Sequence, residues 1–217
     1  MLDRFDAIVF DWDGTLMDST ATIAAAIRSA AADLDLPDPG PQRASQVIGL
    51  GLSQALAIAV PELPASRGAE FLARYRVHFL AGEAELQLFP NARELIAQLR
   101  LRGQRLAIAT GKTRAGLTRA LDSLELTAQF DASRCADETE PKPDPKMLLE
   151  LAEELGIAPA RMIMVGDTTH DLQMARAAGA AAVALTHGAH PASWLRQADA
   201  LAVLDSLQQL QRWLIPV

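Results

Sequence analysis

Short, almost continuous apolar runs alternate along the chain with longer segments whose apolar positions recur at helical spacing. The clearest runs cover residues 7–10, 106–109, 162–165 and 181–185. Runs of this length without polar alternation predict strands covered on both faces, as in a parallel sheet. Weaker strand candidates lie at 130–132 and 200–204. Between them the helix ends are readable. Asn91 is placed to cap a helix with Glu94 three residues on, and Gly103 follows its end. Asp144-Pro145 opens a second helix that Gly156 closes, and a third runs from about Thr169 to Gly179.

The alternation stops between Met17 and Glu85, where helical patterns cover 19–34, 44–59 and 65–81. Pro37, Pro39, Gly40 and Pro41 separate the first two, and Pro61 and Pro64 the last two. The predicted architecture is α/β: a Rossmann-like parallel sheet core flanked by helices, built from residues 1–16 and 86–217. An all-helical cap domain, residues 17–85, is inserted after the first strand.

At 217 residues the chain is long enough for one large domain or one domain carrying a smaller one. Its net charge of −7 argues against a nucleic-acid partner, which would need clustered Lys and Arg. A small phosphorylated metabolite needs only one or two well-placed cations. Cys135 is the single cysteine, so a disulfide framework is excluded and a reducing compartment expected. It reads as a small buried hydrophobe. Asp3 and Asp6 before the first apolar run fit a strand and not a signal peptide. No apolar stretch nears the ~20 residues that span a bilayer. A cytoplasmic monomer or homodimer without membrane contacts is expected.

Ligands of open parallel sheets gather at the carboxyl ends of the strands. Four polar clusters fall at such places. They are Asp11 and Asp13; Thr110 and Gly111; Lys142 between Pro141 and Pro143; and Gly166-Asp167-Thr168-Thr169-His170-Asp171. Asp11, Asp167 and Asp171 would repel one another unless a cation neutralised them. Oxygen ligands, few in number, suit Mg²⁺. With Lys142 and the Thr110 hydroxyl added, such a site can hold a dianionic phosphoryl group and stabilise its transition state. One carboxylate is then free to attack phosphorus. A second acid two residues further on can protonate the leaving alkoxide and later deprotonate water, an effect worth roughly 10²–10⁴-fold.

Asp-x-Asp-Gly-Thr-Leu-x-Asp-Ser from Asp11, a strand-end Thr110-Gly111, Lys142-Pro143-x-Pro145 and Gly166-Asp167-Thr168-x-x-Asp171, in this order, resemble the haloacid dehalogenase superfamily. The helical insert resembles the small cap of its phosphoglycolate phosphatase-like branch. The resemblance covers the whole chain and implies Asp11 as nucleophile and Asp13 as acid/base. It implies Mg²⁺ on the Asp11 and Asp167 carboxylates and the Asp13 backbone carbonyl, with Asp171 acting through a water or as support. Thr110, the Gly111 amide and Lys142 would bind phosphoryl oxygens, and Thr15 would help orient the Asp13 loop.

Several other features are weaker. Gly111-Lys112-Thr113 looks like the end of a P-loop, but the glycine required five residues earlier is Leu106, so Lys112 is expected to face solvent or the pocket rim. Gly49-Leu50-Gly51 has Gln54 where a dinucleotide fingerprint needs glycine, and reads as a cap loop near the substrate or a tight helix connection. His187 and His190 read as loop residues, His78 and His170 as surface residues, and Trp12 and Trp194 as packing.

The branches of the superfamily separate by residues. Dehalogenases lack the second acid, and phosphonate-cleaving members need a cap lysine, of which residues 17–85 contain none. Sugar-phosphate mutases carry a cap His and a Lys/Arg pair where this chain has Ile23, Ile48 and Leu52. Hydrolysis of a small phosphomonoester is the function expected, with a phosphoglycolate-like, sugar-phosphate or nucleotide substrate. The alternatives are a β-phosphoglucomutase-like mutase and a non-enzymatic phosphometabolite sensor or receiver-like module. Arg28, Arg43, Arg74 and Arg76 are cap candidates for a second anionic group.

Overall fold

Alternate residues of the apolar runs bury on opposite faces of one sheet. The structure is a computed structural model that describes residues 1–216 and, at Leu52, the backbone alone. Among the described residues the sheet has strands β1 (Ala7–Phe10), β2 (Arg105–Thr110), β3 (Ala132–Cys135), β4 (Met162–Gly166), β5 (Ala181–Leu185) and β6 (Ala202–Leu204). Their order is β3-β2-β1-β4-β5-β6 and every neighbouring pair is parallel. The edge near Phe130 differs from expectation. The strand is Ala132–Cys135, because Thr127–Gln129 form a 3-10 turn and pairing starts only at Ala132, opposite Ala107.

The helices are α1 (Thr20–Asp33), α2 (Gly40–Gln46), α3 (Leu52–Ala59), α4 (Gly68–Glu83) and α5 (Ala92–Leu101). They continue as α6 (Arg114–Ser123), α7 (Lys146–Leu155), α8 (Thr169–Ala178), α9 (Ala192–Leu195) and α10 (Leu207–Leu214). Ile8, Phe10, Ile108, Val165 and Leu185 meet α5, α6 and α10 in one apolar layer, which also takes in the Trp12 ring. Ala7, Val9, Ala107, Met164 and Ala184 meet α7 and α8 in the other. This two-residue alternation is the strand period seen from a sheet buried on both sides.

A third apolar cluster is separate from both. Ile23, Ile27, Ala30, Val47, Ile48, Leu50 and Phe71 draw α1, α2, α3 and α4 together away from the sheet. The segment expected as one helix over 44–59 is two. Gly49 adopts φ 90°, a left-handed conformation that breaks the ladder, so α2 ends at Gln46 and α3 starts at Leu52. The two crossings between the sheet and this helical part lie side by side. Met17 bridges Leu88 in antiparallel fashion, and the Phe89 and Asp18 amides donate to Leu16 and Gln87.

Helix ends follow the expected chemistry, with one exception. Gly156 and Gly179 close α7 and α8 in the left-handed conformation. Asn91 does not cap α5: it has φ 73°, and its side-chain amide donates to Gln211 on α10 instead.

Candidate active site

The strand order reverses direction at β1, between β2 and β4, which is where an open α/β sheet leaves a crevice at its carboxyl edge. Phe10 lies opposite Val165, and the Asp11 amide donates to the Val165 carbonyl at 2.9 Å. Asp11 and Asp167, the first polar residues past β1 and β4, are thereby brought together. Asp171 joins them from the first turn of α8, where Thr168 and Asp171 form a capping box. One carboxylate oxygen of each of the three lies within 4.8 Å of the others, and all three residues are buried.

Each acid is held by specific donors. The Thr15 hydroxyl donates to Asp167 Oδ1 and the Ala189 amide to Oδ2, both at 2.7 Å. A Cβ at Gly188 would overlap the Asp167 carboxylate, so only glycine lets that loop close over it. Thr168 donates its hydroxyl to Asp171 Oδ2 at 2.7 Å and its amide at 3.1 Å. Lys142, fully buried, places Nζ 2.7 Å from Asp11 Oδ1 and 2.7 Å from Asp171 Oδ1. Asp11 Oδ2 has no hydrogen-bond partner among the described residues.

Electrostatics sharpen this picture. One ammonium faces three buried carboxylates. Burial, then repulsion from Asp171 and Asp167, raise Asp11 well above the usual carboxylate range, although Lys142 opposes this. Burial and Asp171 push Asp167 up to about 7 against its two hydrogen bonds. Burial works to lower the Lys142 pKa, but Asp11 and Asp171 together outweigh it and hold it above the ordinary value. A hard divalent cation fits this donor set. The ligands are all oxygen, the negative charge is in excess, and one buried oxygen of Asp11 lacks any partner.

The neighbouring Asp13 sits in a turn in which the Gly14 amide donates to Met17. Its Oδ1 accepts from the Ser19 hydroxyl at 2.7 Å and its Oδ2 lies 3.1 Å from Lys112 Nζ. Of the two positions expected for Lys112, the structure excludes the solvent-facing one and puts the residue in the lining of the cavity. Its side chain is 11% exposed, and Nζ also rests 4.7 Å from the centre of the Phe79 ring of α4. Thr110 and Gly111 adjoin it in the same cavity as Asp11 and Asp13. Thr15 does more than orient its loop, since it grips Asp167 directly.

The remaining sequence candidates divide. Gly49 and Leu50 do line the cavity. A Cβ at Gly111 would lie 2.9 Å from the Gly49 carbonyl carbon and oxygen and from the Leu50 oxygen, so the helical part is seated directly on the site. Of the four cap arginines only Arg76 reaches the cavity lining, while Arg28 is paired with Asp38 on the surface.

Two histidines expected at the surface or in a loop are partly or fully buried. His190 accepts from the Thr169 amide at Nδ1, and its Nε2 and that of His170 both reach the Gln46 carbonyl, at 3.0 and 3.2 Å. Burial lowers both pKa values, and the bond from Thr169 fixes His190 as the neutral Nε2–H tautomer. Cys135 is buried, and burial pushes its thiol up to about 12.

The family model for haloacid dehalogenase-like hydrolases matches residues 8–185. The chain belongs to the haloacid dehalogenase-like hydrolase family. This hydrolase is 35% identical over 209 residues to the Dickeya dadantii protein named "Probable phosphatase IndB", covering 94% of this chain and 90% of that one. It is 32% identical over 204 residues to the phosphoglycolate phosphatase of Escherichia coli, covering 83% and 81%. Its fold matches the crystal structure of a hydrolase from Pseudomonas syringae with a TM-score of 0.89 at 25% identity, over 97% of each chain. Among the described residues no helix is long and apolar enough to cross a membrane.

Proposed function

We propose that this hydrolase cleaves small phosphomonoesters by way of a phosphoryl group carried on Asp11. The observation that carries the reading is the Asp11 carboxylate itself. It is buried at the carboxyl edge of β1, its Oδ1 is held by Lys142 and its Oδ2 has no partner among the described residues, and Asp11 lines a cavity with Asp13 and Thr110. A new bond from an Asp11 oxygen to phosphorus forms as the ester P–O bond breaks, and Asp13 gives its proton to the departing alkoxide. Water then loses a proton to Asp13 and attacks phosphorus, breaking the acyl-phosphate bond and restoring Asp11.

Lys142, the Thr110 hydroxyl and the Gly111 amide would hold the phosphoryl oxygens. The Asp11 and Asp167 carboxylates and the Asp13 carbonyl would hold a Mg²⁺, which would neutralise phosphoryl charge. Asp171 keeps Lys142 and Thr168 in place. Residues 17–85 act as a cap that excludes water, hinged where Met17 and Leu88 pair. Ile23 and Ile48 face the cavity where a mutase of this family would carry polar cap residues, which favours hydrolysis.

The test is turnover of p-nitrophenyl phosphate in Mg²⁺ by the wild type, Asp11→Asn and Asp13→Asn. The expected result is complete loss with Asp11→Asn and a loss of roughly 10²–10⁴-fold with Asp13→Asn. Wild-type rates in Asp11→Asn would overturn the mechanism.

A further inference from the structure

Above Asp11 and Asp13 lies one cavity of about 440 Å³. That is within the rough 300–1,000 Å³ range of pockets that enclose an organic ligand of appreciable size. Its floor is polar: Asp11, Asp13, Thr110, Gly111 and Lys112. Its roof is not. Ile23 and Ile27 from α1, Ile48 and Leu50 from the α2–α3 connection, Leu56 from α3 and Phe79 from α4 face it. Among the described residues of residues 17–85 that line the cavity, the only polar side chains are Tyr75 and Arg76.

Two of the three cations lining the cavity are paired. Lys112 is paired with Asp13 and rests on Phe79. Arg119 is paired with Glu83 at 3.3 Å, joining α6 to α4. Arg76 is exposed, where water screens it. A second anionic group on a substrate would be stripped of water under the roof and would meet no buried cation free to receive it. The hydroxyls of a sugar would meet few side-chain donors or acceptors there, Tyr75 and Arg76 being the polar ones. A site lined in this way penalises each polar group left unpaired and rewards each methylene laid against it.

Resting on the phosphatase reading, we infer that the preferred substrates are monophosphates of predominantly apolar alcohols. Their alkyl or aryl group packs under α1, α3 and α4, and carboxylated or polyhydroxylated esters such as phosphoglycolate are disfavoured. The phosphoryl group occupies the polar floor and the hydrocarbon part the volume beneath Ile27, Ile48 and Leu56.

The test is kcat/KM of the wild-type enzyme in Mg²⁺ for methyl, propyl and hexyl phosphate. Their leaving groups differ little in intrinsic reactivity. Phosphoglycolate and glycerol 3-phosphate are run beside them, with p-nitrophenyl phosphate as the control for catalysis. The expected result is a rise of up to roughly fourfold per added methylene. Hexyl phosphate should then exceed phosphoglycolate by more than about tenfold. A flat or falling alkyl series, or a preference for phosphoglycolate or glycerol 3-phosphate, with p-nitrophenyl phosphate still turned over, overturns this inference alone. No turnover of any ester, the control included, overturns the phosphatase reading and this inference with it.

Discussion

Lys112 Nζ stands 3.1 Å from Asp13 Oδ2, and the same ammonium lies against the Phe79 ring. Lys112 follows β2 in the sheet, Asp13 follows β1, and Phe79 belongs to α4, so one side chain ties the proposed acid/base to the helices above it. Ser19 holds the other oxygen of Asp13 at 2.7 Å. Removing the charge at Lys112 leaves Asp13 with a single partner in a nearly closed site.

Lys112→Met should therefore lower kcat/KM for p-nitrophenyl phosphate by roughly 10- to 100-fold, the range for losing one buried hydrogen bond to a charged group. The measurement is steady-state kinetics alongside a thermal melt. Wild-type kinetics in a folded Lys112→Met protein would remove Lys112 from the site.

Gly111 is a second contact between the sheet and the helical part. A Cβ there would meet backbone atoms of Gly49 and Leu50 at 2.9 Å, and backbone cannot step aside as a flexible side chain can. Gly111→Ala should cost about 1–3 kcal/mol in stability by overpacking. It should also lower kcat/KM, as the loop over the site is pushed away. Gly68→Ala is the control: nothing lies within 4 Å of its Cβ position, and its φ of −55° suits alanine. It should melt at or slightly above the wild-type temperature. Equal melting of Gly111→Ala and wild type would show that the two parts do not meet as described.

The raised carboxylates make cation binding depend on pH. Asp167 keeps its proton in the folded chain up to about pH 7, and Asp11 is raised in the same direction. In the unfolded chain both lose it near pH 4, roughly. Folded protein thus binds more protons than unfolded across that window, and without a cation this contribution to stability is lost as pH rises through it. Mg²⁺ competes with those protons. The melting temperature should rise on adding Mg²⁺ by more at about pH 8 than at about pH 5.5, and EDTA should abolish both the shift and turnover. An equal shift at both pH values would contradict the assignment of the cation to this cluster.

Much of the sheet could be read from the residues because strands buried on both faces leave unbroken apolar runs. The charged groups at their ends interrupt those runs visibly, as Asp11 does after Phe10 and Asp167 after Gly166. The third strand was harder, since Ala132–Cys135 contains Ser133 and Arg134 and looks like a loop. The break between α2 and α3 was hidden because apolar residues continue through Val47, Ile48 and Leu50, and only the positive φ of Gly49 marks it.

Other parts of the site leave no local signature. The Ala189 amide that holds Asp167 is backbone, and the glycine beside it, Gly188, earns its place only through contact with a residue on another strand. The Gly-Lys-Thr setting of Lys112 fails as a P-loop and carries no other local signal, because its partner Asp13 lies at a different strand end. The apolar roof is spread over α1, the α2–α3 connection, α3 and α4, so no contiguous motif announces it.

The most direct measurement is to mix enzyme, Mg²⁺ and p-nitrophenyl phosphate on the millisecond scale, quench in acid and map the phosphorylated peptide by mass spectrometry. One phosphoryl group is expected on the peptide containing Asp11, formed with the burst of p-nitrophenol and absent from Asp11→Asn. Rapid turnover with phosphate on no residue, or on a residue other than Asp11, would contradict Asp11 as the nucleophile.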